Sequence, residues 1–184
     1  MKLPANWKNI EGKEYGDYKN IEPGGYICRI TEVEEASSRS GRDMFVISFD
    51  IAEGDYKDYY KQQYEANSSS DKKWRGVYCQ LTDGNSVPYF KGLITAIEKS
   101  NNNFVFNGDE GLLSGKFFGG IFGEEEYTKQ DGSLGTISKL CFIVSTERVR
   151  SGDFSIPKKK VLLTPSGANG LFPPPTDDDE DVLF

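Results

Sequence analysis

Residues 43 to 51, DMFVISFDI, place Phe45, Ile47, Phe49 and Ile51 at every second position, with Met44, Val46, Ser48 and Asp50 between them. A period of two fits a strand with one buried face, so the odd positions are expected in the core. Residues 26 to 35, YICRITEVEE, are also rich in β-branched and aromatic residues, and the intervening SSRSGR is turn-forming and basic. Together the two runs predict a hairpin. A third strand is expected at 56 to 64, YKDYYKQQY, after the turn residues Glu53, Gly54 and Asp55.

The polar stretch NSSSDKKWRG, 67 to 76, reads as a loop and leads into the short apolar piece VYCQL. Pro88 suits a first helical position and Ser86 its cap. Phe90, Leu93, Ile94 and Ile97 then recur at helical spacing until three asparagines end the run, which predicts a helix with one face on the sheet. Beyond it, GKFFGGIFGEEEY (115 to 127) and LGTISKLCFIVSTERVR (134 to 150) flank Asp131-Gly132, a strong hairpin signal. Gly119, Gly120 and Gly123 suit a strand that bends sharply. The chain is therefore expected to be mainly β, in the order β-β-β-α-β-β. With its glycine-broken fourth strand, that order matches the five-stranded oligonucleotide/oligosaccharide-binding (OB-fold) barrel. An open α+β sandwich of the same elements is the alternative.

At 184 residues the chain suits one domain with appendages. Residues 1–25 read as an irregular N-terminal arm, and 26–163 as the OB-fold domain, ending in a C-terminal extension (SGDFSIPKKKVLL) strapped to the body. Residues 164–184 read as a disordered linker and acidic tail, because their proline, glycine and carboxylates bury too little apolar surface to offset ordering. The N-terminus lacks the apolar core of a secretory signal, and no apolar stretch approaches membrane-spanning length. A cytoplasmic location without a membrane partner is expected.

Histidine is absent, which removes Ser-His and Cys-His nucleophilic pairs and the commonest zinc ligand. Glu124, Glu125 and Glu126 alternate across a strand and cannot all converge on one ion. GKFFGGIFG lacks the lysine-Ser/Thr ending of a phosphate loop. No catalytic constellation, metal or cofactor is expected, and Cys28, Cys79 and Cys141 read as buried reduced thiols.

The net charge of −7 argues at first against a nucleic-acid partner. Five of the 29 acids, however, are Asp177, Asp178, Asp179, Glu180 and Asp181 in the tail. The remainder holds 22 bases against 24 acids, a balance that permits a basic face. If 56 to 64 is a strand, Lys57, Tyr59, Lys61 and Gln63 share one side, alternating cation and ring. Phosphates and stacked bases ask for that combination. The pattern equally suits a solvated face packed by lysine stems. Lys72, Lys73, Trp74 and Arg75 repeat the theme in a loop, where Trp74 is either an exposed stacking ring or a lid folded onto the core. Arg29 in strand one, Arg39 and Arg42 in the first hairpin loop, Lys129 at the second hairpin and Lys139 in strand five fall near the groove of an OB-fold.

An OB-like body followed by a Pro/Gly linker and an acidic tip ending in Phe184 resembles the single-stranded DNA-binding proteins of bacteria and their phages. The body is also similar to replication-module proteins of phages of Gram-positive hosts through GGYICRITEVEE, VISFDIAEGDYKDYY, VPYFKGLITAIEKSN, LSGKFFGGIFGEEEY and RSGDFSIPKKK. That likeness covers most of residues 22 to 160. It implies non-enzymatic, sequence-indifferent binding of single-stranded DNA in phage replication or recombination. It further implies that the tail docks replication and repair proteins, Phe184 entering a pocket while Asp177 to Asp181 meet a basic ridge. Bacterial tips usually carry proline before the phenylalanine, whereas Val182 and Leu183 stand here. The sequence also admits a carboxylate/magnesium-dependent DNA-processing enzyme, or an interaction or virion protein with no DNA affinity.

Overall fold

The computed structural model describes residues 20–129 and 131–162. Its first hairpin joins β1 (Gly24–Ser37) to β2 (Asp43–Ile51). Phe45, Ile47, Phe49 and Ile51 are buried, as their alternation requires, and each contributes roughly 1.5–3 kcal/mol of apolar burial. A bulge between Ile30 and Glu32 resets the alternation of β1, so Ile30 and Val33 both face the core, opposite Phe49 and Ile47.

The expected third strand at 56 to 64 is a helix, α1 (Tyr59–Ala66). Asp58 adopts φ 57°, a left-handed turn that ends extended chain, and the Asp50 carboxylate accepts the backbone N–H groups of Tyr60 and Lys61. Those bonds supply what a helix start otherwise lacks. Lys57, Tyr59, Lys61 and Gln63 therefore share no strand face. The third strand is instead VYCQL, β3 (Val77–Leu81).

The helix α2 (Val87–Ser100) begins with its proline in the first turn and buries Leu93, Ile94, Ala96 and Ile97. Its Ser86 cap makes no side-chain bond to the helix; the Ser86 Oγ accepts from Arg42 instead. The strands β4 (Phe117–Thr128) and β5 (Leu134–Val144) follow, joined through Asp131-Gly132 with Gly132 at φ 80°. The run expected to continue as strand to residue 150 stops at Val144 and turns into a short helix, α3 (Thr146–Ser151). A Cβ on Gly119 would lie 2.6 Å from the Val149 side chain and 2.7 Å from the Ser145 carbonyl, so glycine lets α3 close on β4.

The five strands form one antiparallel sheet in the order β3-β2-β1-β4-β5. The two edges, β3 and β5, are not hydrogen-bonded to each other, so the sheet is open. Helices sit at its two ends. Phe90 of α2 packs edge-on against Phe45 at 5.0 Å, and Tyr60 of α1 against Phe49 at 5.4 Å. Asn101, just past α2, clamps the start of β4, donating to the Phe117 carbonyl at 2.8 Å and accepting its N–H at 3.0 Å.

β1 starts opposite Phe122, so beyond that point one edge of β4 lacks a strand partner. The extension covers it. The Lys160 N–H donates to the Glu124 carbonyl and the Glu126 N–H to the Lys160 carbonyl, each at 2.9 Å, while Pro157 packs over Gly123. The three cysteines are free thiols. Cys28 is buried, whereas Cys79 and Cys141, expected to be buried, are only partly so. No helix among the described residues is long and apolar enough to cross a membrane.

Candidate nucleic-acid interface

Asp50 organises the surface that carries most of the expected binding residues. Its carboxylate, at the end of β2, accepts the N–H groups of Ile51, Tyr60 and Lys61 at 2.8, 2.9 and 3.0 Å. Burial pushes its pKa up, and the three donors oppose that shift. With the first turn of α1 anchored, Tyr60 enters the core and burial drives its phenol pKa far upward. Tyr59 packs edge-on against Tyr56 and Tyr60 at 6.1 and 5.2 Å and is half-buried, and burial raises its pKa as well.

The loop 67–76 returns alongside this helix. Phe49 donates its N–H to the Gly76 carbonyl at 2.7 Å, and a Cβ on Gly76 would overlap the Phe49 carbonyl and the Tyr60 ring. Trp74 is not an exposed ring. It is half-buried, its indole N–H donating to the carbonyls of Phe49 at 3.1 Å and Gly76 at 3.2 Å, and it tilts against Tyr64 at 5.9 Å. Trp74 is thus the lid. The exposed positions on either side of it are Lys73 and Arg75.

Between helix and loop lies a cleft of about 310 Å³ lined by Tyr60, Gln63, Tyr64, Ala66, Asn67, Lys73 and Arg75. The Lys72 ammonium stands 4.3 Å from the centre of the Tyr64 ring, within cation–π range. Lys57, Lys61, Lys72, Lys73 and Arg75 form no ion pair among the described residues. From 56 to 76 the chain holds five bases against three acids, and five aromatic rings. A groove of open cations and rings suits an anionic chain that carries flat bases.

Other expected residues stand elsewhere or are already engaged. Arg42 is tied to Asp83 at 2.9 Å and donates to the Ser86 Oγ at 3.1 Å, latching the first hairpin to the start of α2. Lys139 pairs with Glu125 at 3.1 Å. Arg29 is exposed on β1, level with Asp50 and Phe117 in its neighbouring strands. Arg39 is exposed in the first hairpin loop. Lys129 is exposed beside the second hairpin turn, which its own backbone closes with Ser133 and Gly132. The face of β1 next to Ser48 and Val46 displays exposed Glu32 and Glu34, which makes that part of the sheet unfavourable for phosphates.

Glu126 is held by Lys159 at 2.9 Å, which keeps its pKa below the ordinary range, and Glu125 also lies 3.9 Å from Lys160. Among the described residues no group of three metal-ligating side chains comes together. The tail residues 177–184 lie outside the described residues. Tyr60, Tyr64, Ala66 and Asn67 were not expected to line the site, whereas Gln63 was placed on the candidate face. The signal was present in Tyr56, Tyr60 and Tyr64, which recur every four residues as a helical stripe does. No protein-family model matches the chain, and no curated protein is significantly similar to it.

Proposed function

We propose that this chain is a non-enzymatic, sequence-indifferent single-stranded DNA-binding protein acting in phage replication or recombination. The observation that carries the reading is the cleft between α1 and the 67–76 loop, where Lys73 and Arg75 have no ion-pair partner among the described residues and face Tyr64 and Gln63. Cations there neutralise phosphates, and the tyrosine ring offers a stacking plane worth roughly 1–3 kcal/mol per base.

The architecture supports the same reading. The order β3-β2-β1-β4-β5 is that of an OB-fold barrel opened between β3 and β5. The acidic tail acts as a separate part that recruits replication or recombination proteins, and it competes with DNA for the same cations.

Filter retention of an oligo-dT strand by Lys73→Ala/Arg75→Ala, beside Lys91→Ala on the exposed side of α2, tests this assignment. The double variant is expected to lose affinity and the α2 variant to keep it. Equal retention by the two would place the contact elsewhere.

A further inference from the structure

β4 and β5 run on past the start of β1 as a two-stranded arm, from Gly123 and Lys139 out to Thr128 and Leu134. On its β4 side the arm is covered by the Lys160 segment. On its β5 side, residues 134–139 pair with no other strand among the described residues. Natural sheets blunt such edges with proline, bulges or unpaired charge. This one has neither proline nor bulge over 134–139, and its single charge, Lys139, is neutralised by Glu125.

The arm, the rest of β5 and the covering segment also expose apolar side chains. Of the thirteen large apolar residues exposed among the described ones, seven lie on β4, β5 or the covering segment from Tyr127 onward, Leu134 at 52% and Ile137 at 39% among them. Such concentration marks a contact surface. Because Glu125 and Glu126 are held by lysines of the arm and its cover, the surface asks for no charged partner.

We propose that this edge pairs with the same edge of a second copy of the chain, antiparallel and centred on Ile137. Self-pairing in that register sets Ile137 against the partner's Ile137 and Thr136 against the partner's Ser138. Leu134 falls opposite the partner's Leu140, and Gly135 opposite the partner's Lys139. No like charges meet, and apolar residues oppose apolar ones on both faces. Gly135 brings no side chain against the partner's lysine, whose stem meets the 43% exposed Tyr127 ring that covers the glycine. A slip of one residue would put each side chain on the wrong face, and a slip of two, centring the pair on Thr136 or Ser138, would set Ile137 opposite Gly135 or Lys139. The result is a closed two-fold dimer with a continuous sheet through both arms.

The inference does not depend on DNA binding, and its test uses the full chain without DNA. Sedimentation equilibrium of the wild type is expected to give the mass of two chains. Ile137→Glu, which sets two carboxylates face to face at the two-fold axis, is expected to give the mass of one chain with unchanged circular dichroism and a melting temperature that no longer depends on protein concentration. Ile137→Cys is expected to form an intermolecular disulfide on oxidation that wild type and Leu134→Cys do not. A monomeric wild type overturns the proposal. So does a dimer that survives Ile137→Glu, or an Ile137→Cys that cross-links no better than Leu134→Cys.

Discussion

At the scale of single residues, one buried charge and two open ones decide what the surface does. Asp50 satisfies three backbone donors at the start of α1, so Asp50→Ala leaves buried N–H groups unpaired, at about 1–3 kcal/mol each where no water replaces the carboxylate. A urea midpoint should fall accordingly, with α1 and the cleft lost together. Lys73 and Arg75 act oppositely, exposed and without carboxylate partners among the described residues. Single-strand binding loses about 0.7 of logarithmic salt slope per phosphate contact removed, so Lys73→Ala/Arg75→Ala should lower the slope by ~1.4. A titration series over salt concentration reads this directly. An unchanged slope would mean that neither side chain meets a phosphate.

At the scale of elements, legibility followed whether the deciding groups lay inside the segment. β2 and α2 carry one period each, and Phe45, Ile47, Phe49, Ile51, Leu93, Ile94 and Ile97 are buried as expected, whereas Met44, Asp50 and Ala96 are buried beside them and Phe90 is only half-buried. The segment 56 to 64 carries two. Its lysine–tyrosine alternation fits a strand, while Tyr56, Tyr60 and Tyr64 fit a helix, and the choice is made by Asp50 from β2 and by the left-handed turn at Asp58. No local pattern contains that information. The same holds for Arg42 and Lys139, whose carboxylate partners Asp83 and Glu125 come from other elements, and for Trp74, whose indole is claimed by the Phe49 carbonyl. The loop composition revealed cations and an aromatic ring but not which of them would be spent on the body. Gly119 gives the element-scale prediction. Gly119→Ala drives a methyl into Val149 and the Ser145 carbonyl and should cost about 1–3 kcal/mol by separating α3 from β4, a loss measurable by thermal melting.

At the scale of the whole molecule, four tyrosines, Tyr26, Tyr59, Tyr60 and Tyr78, have phenol pKa values raised first of all by burial, Tyr26 to about 12. The folded protein therefore holds these protons more tightly than the unfolded chain. Their contribution is fully present below the ordinary tyrosine value of about 10, and is lost as pH rises towards the folded values. Four of the ten tyrosines are expected to ionise only together with loss of near-ultraviolet circular dichroism. Ionisation of all ten near pH 10 with the fold intact would contradict it. The tail supplies a second prediction at this scale. Five carboxylates tethered to the body compete with phosphate, so removing residues 177–184 should tighten DNA binding at low salt and lose that advantage at high salt.

On the proposed function, the cleft between α1 and the 67–76 loop would take unpaired strands because their bases are free to stack. Fluorescence anisotropy of a labelled oligo-dT and of a duplex of equal length, titrated with the full chain in the same low-salt buffer, tests it most directly. The oligo-dT is expected to bind more tightly than the duplex, with affinity falling as salt rises. Equal binding to both, or binding to neither, would contradict the proposal.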